Sequence, residues 1–106
     1  MRIIDTENKI LTGDNHPQLK IGDKLYLVDD RKKTLDKINE VQSDVTLSQN
    51  EKERKTFMLA LGEENAREIL DMDLSVEGYI NLTYYIMSAI TGKDFEEIKK
   101  SSEEKN

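Results

Sequence analysis

Paired carboxylates are the densest chemical resource of this chain. Asp29 with Asp30, and Asp71 with Asp73, set two acids close enough in sequence to share a divalent cation. Neither pair fits an EF-hand loop, which needs acids at several fixed positions, a central Gly and a closing Glu. Asp is favoured at helix N-caps and in loops, where its carboxylate accepts from free backbone amides. These four are therefore read as caps and solvated loop residues. Glu63, Glu64 and Glu68 could supply a carboxylate pair for acid–base work, but they fall where first-turn acids favour a helix dipole. His16 stands beside Pro17 in a breaker-rich stretch and is read as incidental. There is one histidine and no cysteine, so disulfides, thiolate metal sites and His-based zinc clusters are excluded, and a triad lacks parts. No catalytic residue, metal or cofactor is expected.

Tyr79, Tyr84 and Tyr85 could form a stacking platform for bases. They have no Arg or Lys beside them, and tyrosine serves cores and interfaces by burying a large ring while keeping a wet hydroxyl. The glycines Gly13, Gly22, Gly62, Gly78 and Gly92 form no phosphate-cradling pattern. The formal net charge is −6, against sequence-independent binding to a phosphate backbone, which needs clustered Lys and Arg. The charge is uneven: residues 31–61 carry seven Lys/Arg against five Asp/Glu, whereas residues 62–92 carry one against six. No apolar run approaches the roughly 20 residues that span a bilayer, and the opening MRIIDTENK has no continuous apolar segment of the secretory kind. A cytoplasmic protein, without nucleic-acid or membrane partners, is expected.

The element that must organise the rest is Ser75 to Gly92, SVEGYINLTYYIMSAITG, which holds three of the four tyrosines. It reads as one amphipathic helix. Ser75 is a natural N-cap, Glu77 sits near the positive end of the dipole, and Gly92 suits the left-handed C′ position. Val76, Tyr79, Ile80, Thr83, Ile86, Met87 and Ile90 recur at three- and four-residue spacing and form the expected inward stripe. Leu82, Tyr85 and Ala89 widen it beyond half the circumference. Either several elements wrap this helix or part of it faces another chain.

The remainder supplies its cover. Residues 1–16 form an arm or a short hairpin, ending in the breaker cluster Thr12 to Pro17. Residues 18–29 read as a tight hairpin about Gly22-Asp23, with Leu25 and Leu27 on one face and Tyr26 and Val28 on the other. A lone hairpin is marginal in water and must pack on a helix. Residues 31–44 read as a surface helix with a narrow Leu35, Ile38, Val41 stripe, capped by Asp29 or Asp30. Residues 45–72 read as two helical pieces, the first capped by Ser48 or Asn50, with a kink or a break at Gly62, since Gly within a helix costs about 1 kcal/mol relative to Ala. In residues 93–106, Asp94 could cap a short helix anchored by Phe95 and Ile98, and a disordered charged tail is expected over 99–106.

The expected fold is α+β and mostly α. An N-terminal β-hairpin is followed by three to four helices packed around residues 75–92, in one domain over 17–98. With 36% hydrophobic and 36% charged residues among 106, the core is small under a highly charged surface. The apolar groups left over once one side of the central helix is buried are Leu82, Tyr84, Tyr85, Met87 and Phe95. Aromatics and Met are enriched in interface cores, so these five are the expected protein-interaction residues.

The stretch FMLALGEENAREILDMDLSVEGYINLTYYIMSAITG, Phe57 to Gly92, resembles the small tail assembly chaperones of long-tailed phages and prophages of Gram-positive bacteria. The shared features are an apolar helix closing on Leu61-Gly62, a restart at Glu63-Glu64, apolar Ile69-Leu70, a connection at Leu74-Ser75, and a final helix to Ile90-Thr91-Gly92. The segment Lys20 to Tyr26 is also of the kind found in that family. The resemblance implies a non-enzymatic protein that coats the tape measure protein, keeps it soluble and recruits tail tube subunits. It also implies homo-oligomers and, in many members, a frameshift-extended long form, for which Lys99-Lys100 would be the slippery position. A wide apolar helix face suits helix-in-groove binding, and an acidic surface would keep the coated complex soluble. The competing reading, motivated by the acidic residues 62–92, is a small regulatory or inhibitory protein of a mobile element that binds a basic host protein, as a DNA mimic would. A small enzyme is the least favoured class.

Overall fold

The computed structural model describes residues 2–3 and 16–104, and the arm expected over 1–16 falls almost wholly outside the described residues. From Gln18 the chain runs β1 (Gln18–Ile21), β2 (Lys24–Leu27), α1 (Lys32–Ser43), α2 (Gln49–Leu61), α3 (Glu63–Leu70), α4 (Val76–Thr91) and α5 (Phe95–Glu104). The fold is α+β and mostly α, as expected, with five helices after the hairpin. No helix among the described residues is long and apolar enough to cross a membrane.

The hairpin turns at Gly22, whose φ of 62° is a left-handed value that glycine adopts without strain. Its antiparallel register pairs Leu19 with Tyr26 and Ile21 with Lys24. Directly opposed residues share a face, so Leu19, Ile21 and Tyr26 look inward together. Tyr26 and the following Val28 are buried, whereas Leu25 and Leu27 lie on the outer face, each more than half exposed.

Each helix boundary has a local cause. Ser48 opens α2 with a capping box: its hydroxyl accepts from the Glu51 amide while the Glu51 carboxylate accepts from the Ser48 amide. Ser75 caps α4 by accepting from the Gly78 amide at 3.0 Å, and Gly92 closes that helix at φ 78°. Asp94 accepts from the Glu97 amide at the start of α5. Gly62 separates α2 from α3 with φ 87° and ψ 156°, a region open essentially to glycine alone. Neither Asp29 nor Asp30 is the N-cap of α1; Arg31 holds that position without a side-chain cap bond. Asp29 works one step earlier. Its carboxylate accepts from the Arg31 amide and guanidinium and from the Thr34 hydroxyl, and its own amide donates to the Ala60 carbonyl at 2.8 Å. One residue thus ties the hairpin exit to the start of α1 and the end of α2.

The core gathers Tyr26, Val28, Ile38, Phe57, Ala60, Leu61, Ala66, Ile69, Leu82 and Ile86 from every element up to α4 except β1. Two expectations are corrected here. The inward face of α4 is shifted by part of a turn: Tyr79, Ile86, Met87 and Ile90 of the expected stripe do pack inward, but Leu82 is buried and Ala89 packs beside it, whereas Val76 is 79% exposed and Ile80 also faces out. The apolar band is broader than the core needs, and contact with α2 and β1 selects the edge centred on Leu82 and Ile86. At the other end, α5 runs to Glu104, past the point where the sequence suggests a disordered tail from 99. Asp94 caps it and Glu96 and Glu97 occupy its first turn, so dipole and propensity favour the helix although little is buried.

Candidate functional site

The loop from α3 to α4 shapes a mainly apolar concavity. Its anchor is Tyr79. The Tyr79 hydroxyl lies 2.9 Å and 3.0 Å from the carbonyls of Ile69 and Leu70, to which it donates, and accepts from the Leu74 amide at 3.2 Å. Its ring packs on Phe57, with centroids 6.1 Å apart. Asp73 takes a positive φ of 53° in this loop, a conformation Asp tolerates better than most residues. With the loop pinned, Leu74 stands beside the first turns of α4 and across from β1.

A groove of about 310 Å³ results. Leu19 and Ile21 of β1 line one wall; Leu74, Leu82 and Tyr85 line the other, with the Asn81 amide among them. Leu82 forms the floor and is only 7% exposed, while Tyr85 stands at the rim, 49% exposed. Val76 and Ile80 are also exposed, but at 100° per residue they stand on the opposite side of α4 from Gly78, Asn81 and Tyr85.

The five residues expected to meet a partner are therefore divided. Leu82 is a core residue, which corrects its expected place on the free surface; the rotation of α4 turned it inward. Met87 packs against the same core. Tyr84 and Phe95 meet edge-on with centroids 5.9 Å apart, and Tyr85 lies over Phe95 at 4.4 Å. The structure joins Tyr84, Tyr85 and Phe95 in one aromatic cluster and leaves Tyr85 as the bridge between it and the groove. Tyr79 is occupied by Phe57 and the loop carbonyls, so the three tyrosines make no common stacking platform. The groove walls Leu19, Ile21 and Leu74 escaped the sequence reading. Alternation in β1 marked the first two as apolar, but nothing local placed them opposite α4.

Five of the acidic residues form ion pairs among the described residues: Asp29, Asp30, Asp36, Glu63 and Glu68. Glu68 accepts from Lys24 Nζ through both oxygens, at 2.8 Å and 2.7 Å, and from the Tyr26 hydroxyl at 2.7 Å. The Lys24 ammonium, then the Tyr26 hydroxyl, hold the Glu68 carboxyl below the usual range, and the same pairing raises Lys24 and Tyr26. Glu63 pairs with Arg67 one turn on, and Lys32 with Asp36. Asp29 is held far below its ordinary value, first by the Arg31 guanidinium and then by the Thr34 hydroxyl. His16 Nδ1 lies 3.0 Å from Asp30 Oδ1, a pairing that sequence spacing did not suggest. Among the described residues no group of three or more His, Cys, Asp or Glu could hold a metal ion. No family model matches the chain, and neither does any curated protein or solved structure.

Proposed function

We propose that this chain is a non-enzymatic tail assembly chaperone of the long-tailed phage type, working in the bacterial host cytoplasm to hold a tape measure protein in solution. The resemblance of Phe57 to Gly92 suggests the family, and one observation supports the activity. The apolar groove between β1 and α4 is left uncovered by the described chain. A groove of this kind takes the apolar face of an amphipathic helix, which a tape measure segment would present. Exposed apolar surface of this extent also suits self-association, so homo-oligomers and contact with tail tube protein belong to the same reading. The acidic-inhibitor reading keeps part of its motive: of the six acids over 62–92, Glu63 and Glu68 are matched by Arg67 and Lys24, whereas Glu64, Asp71, Asp73 and Glu77 make no ion pair among the described residues. A phosphate mimic needs its carboxylates free on one face.

Co-expression with a tape measure protein of a long-tailed phage tests the proposal. The tape measure protein should move from the insoluble to the soluble fraction and copurify with this chain. Tyr85→Glu, which sets a charge at the groove rim, should abolish that rescue while leaving the helical content intact. An insoluble tape measure protein in the presence of abundant folded chain would overturn the reading.

A further inference from the structure

The C-terminal helix is attached by very little. α5 packs chiefly on α4, and its apolar anchors are Phe95 and Ile98, both only half-buried. Among the described residues, none from α5 joins the main core or packs against it, and neither does Tyr84 or Tyr85. Phe95, Tyr84 and Tyr85 instead form a satellite cluster, with ring centroids 5.9 Å and 4.4 Å from Phe95. The link between the helices is Gly92, Lys93 and Asp94. Gly92 is in the left-handed conformation, and the Ser88 hydroxyl donates to the Lys93 carbonyl at 2.6 Å. Segments with few buried apolar contacts open at free energies far below that of global unfolding. A three-residue tether then keeps the released segment at a high effective concentration, so it returns unless another occupant takes its place.

We infer that α5 is a detachable strap, an intramolecular helix that covers the aromatic face of Tyr84 and Tyr85 and is displaced when a partner helix docks there. The inference rests on the chaperone reading for the partner's nature, an amphipathic helix presenting an aromatic and a β-branched side chain three residues apart, as Phe95 and Ile98 are. The strap itself does not depend on it. Tyr85 belongs both to this face and to the groove rim, so release of α5 lengthens the apolar surface from Leu74 towards the C-terminal end of α4. Once undocked, a helix of ten residues is too short to persist in water and frays, which gives the release a direct reporter.

Amide hydrogen exchange on the full chain, with apolar-dye fluorescence, tests the strap without any partner. In the parent, α5 amides should exchange roughly tenfold or more faster than those of α2 and the inner turns of α4. Phe95→Ala should speed exchange in α5 alone and raise dye fluorescence several-fold. Adding Tyr84→Ser and Tyr85→Ser to that variant should return the dye signal to the parental level. Ile98→Ala serves as a milder release should Phe95→Ala also lose protection in α2. Parental α5 amides as protected as those of α2 would overturn the inference. So would faster α5 exchange with no gain in dye signal. Failure to solubilise a tape measure protein, with these signatures intact, would remove the named partner and leave the strap.

Discussion

The Tyr26 hydroxyl donates a 2.7 Å hydrogen bond to Glu68 Oε1, joining residues 42 positions apart. Lys24, two residues before Tyr26 on β2, holds the same carboxylate by both oxygens. One side chain of α3 is thus the clamp that fastens the hairpin over the helices. Tyr26→Phe keeps the buried ring and removes only the hydroxyl, so it should lower the urea midpoint slightly. Glu68→Ala also releases Lys24 and should lower it further. Residues sharing one interaction are not additive, so the double variant should be scarcely less stable than Glu68→Ala alone. Four urea titrations check this, and additive losses would mean that the Tyr26–Glu68 bond contributes nothing.

The orientation of α4 makes a second prediction. Leu82 is 7% exposed and Val76 79% exposed. Truncating a buried Leu to Ala costs about 2–5 kcal/mol, through lost transfer energy and the cavity left behind. An exposed apolar residue away from special features changes stability by no more than about 0.5 kcal/mol. Leu82→Ala should therefore destabilise strongly in chemical denaturation while Val76→Ala should not. The reverse order would mean that the helix is turned the other way.

Gly62 separates two helices at φ 87° and ψ 156°. Nothing lies within 4 Å of a Cβ built there, so space is not the obstacle. The obstacle is the backbone, since a side chain in that region costs about 1–3 kcal/mol. Gly62→Ala should lower the thermal midpoint accordingly, with the far-ultraviolet circular dichroism of the native state retained. Gain of helical signal on substitution would show that α2 and α3 fuse instead.

Acid should weaken the fold through Asp29 and Glu68. Both carboxyls are held below their ordinary values in the folded chain, Asp29 by Arg31 and Glu68 by Lys24. A depressed folded value means stability that is present above the unfolded values, about 4, and is lost as pH falls through the folded ones. Glu53, pushed up by desolvation, works in the opposite direction. Thermal melts between about pH 7 and pH 2 should fall steeply below about pH 4, and Asp29→Asn should make that fall shallower. An unchanged slope in the variant would move the acid sensitivity to other groups.

The local punctuation of this fold was legible in the sequence. Ser48 with Glu51, Ser75, Gly92 and Asp94 cap or close helices because each needs only its own backbone within a turn. The hairpin at Gly22 and the break at Gly62 follow from the same short-range chemistry. The candidate site was half legible: Tyr85 and Phe95 could be named as apolar side chains in excess of what the core needs, whereas Leu19, Ile21 and Leu74 could not.

What the sequence by itself determined is where most elements begin, end and turn, because those choices are settled by atoms a few residues apart; the start of α1 and the end of α5 are the exceptions. Only the tertiary structure decided which edge of the broad apolar band of α4 faces the core, since Leu82 and Val76 are both apolar and differ only in what packs on them. The same holds for Glu68, which reads as a helix-terminus acid until β2 brings Lys24 and Tyr26 against it. It also holds for the groove, whose one wall is a strand and whose other is a loop and helix more than fifty residues further along the chain. Side-chain type sets what a residue can do, and the packing of distant segments sets which of those things it does.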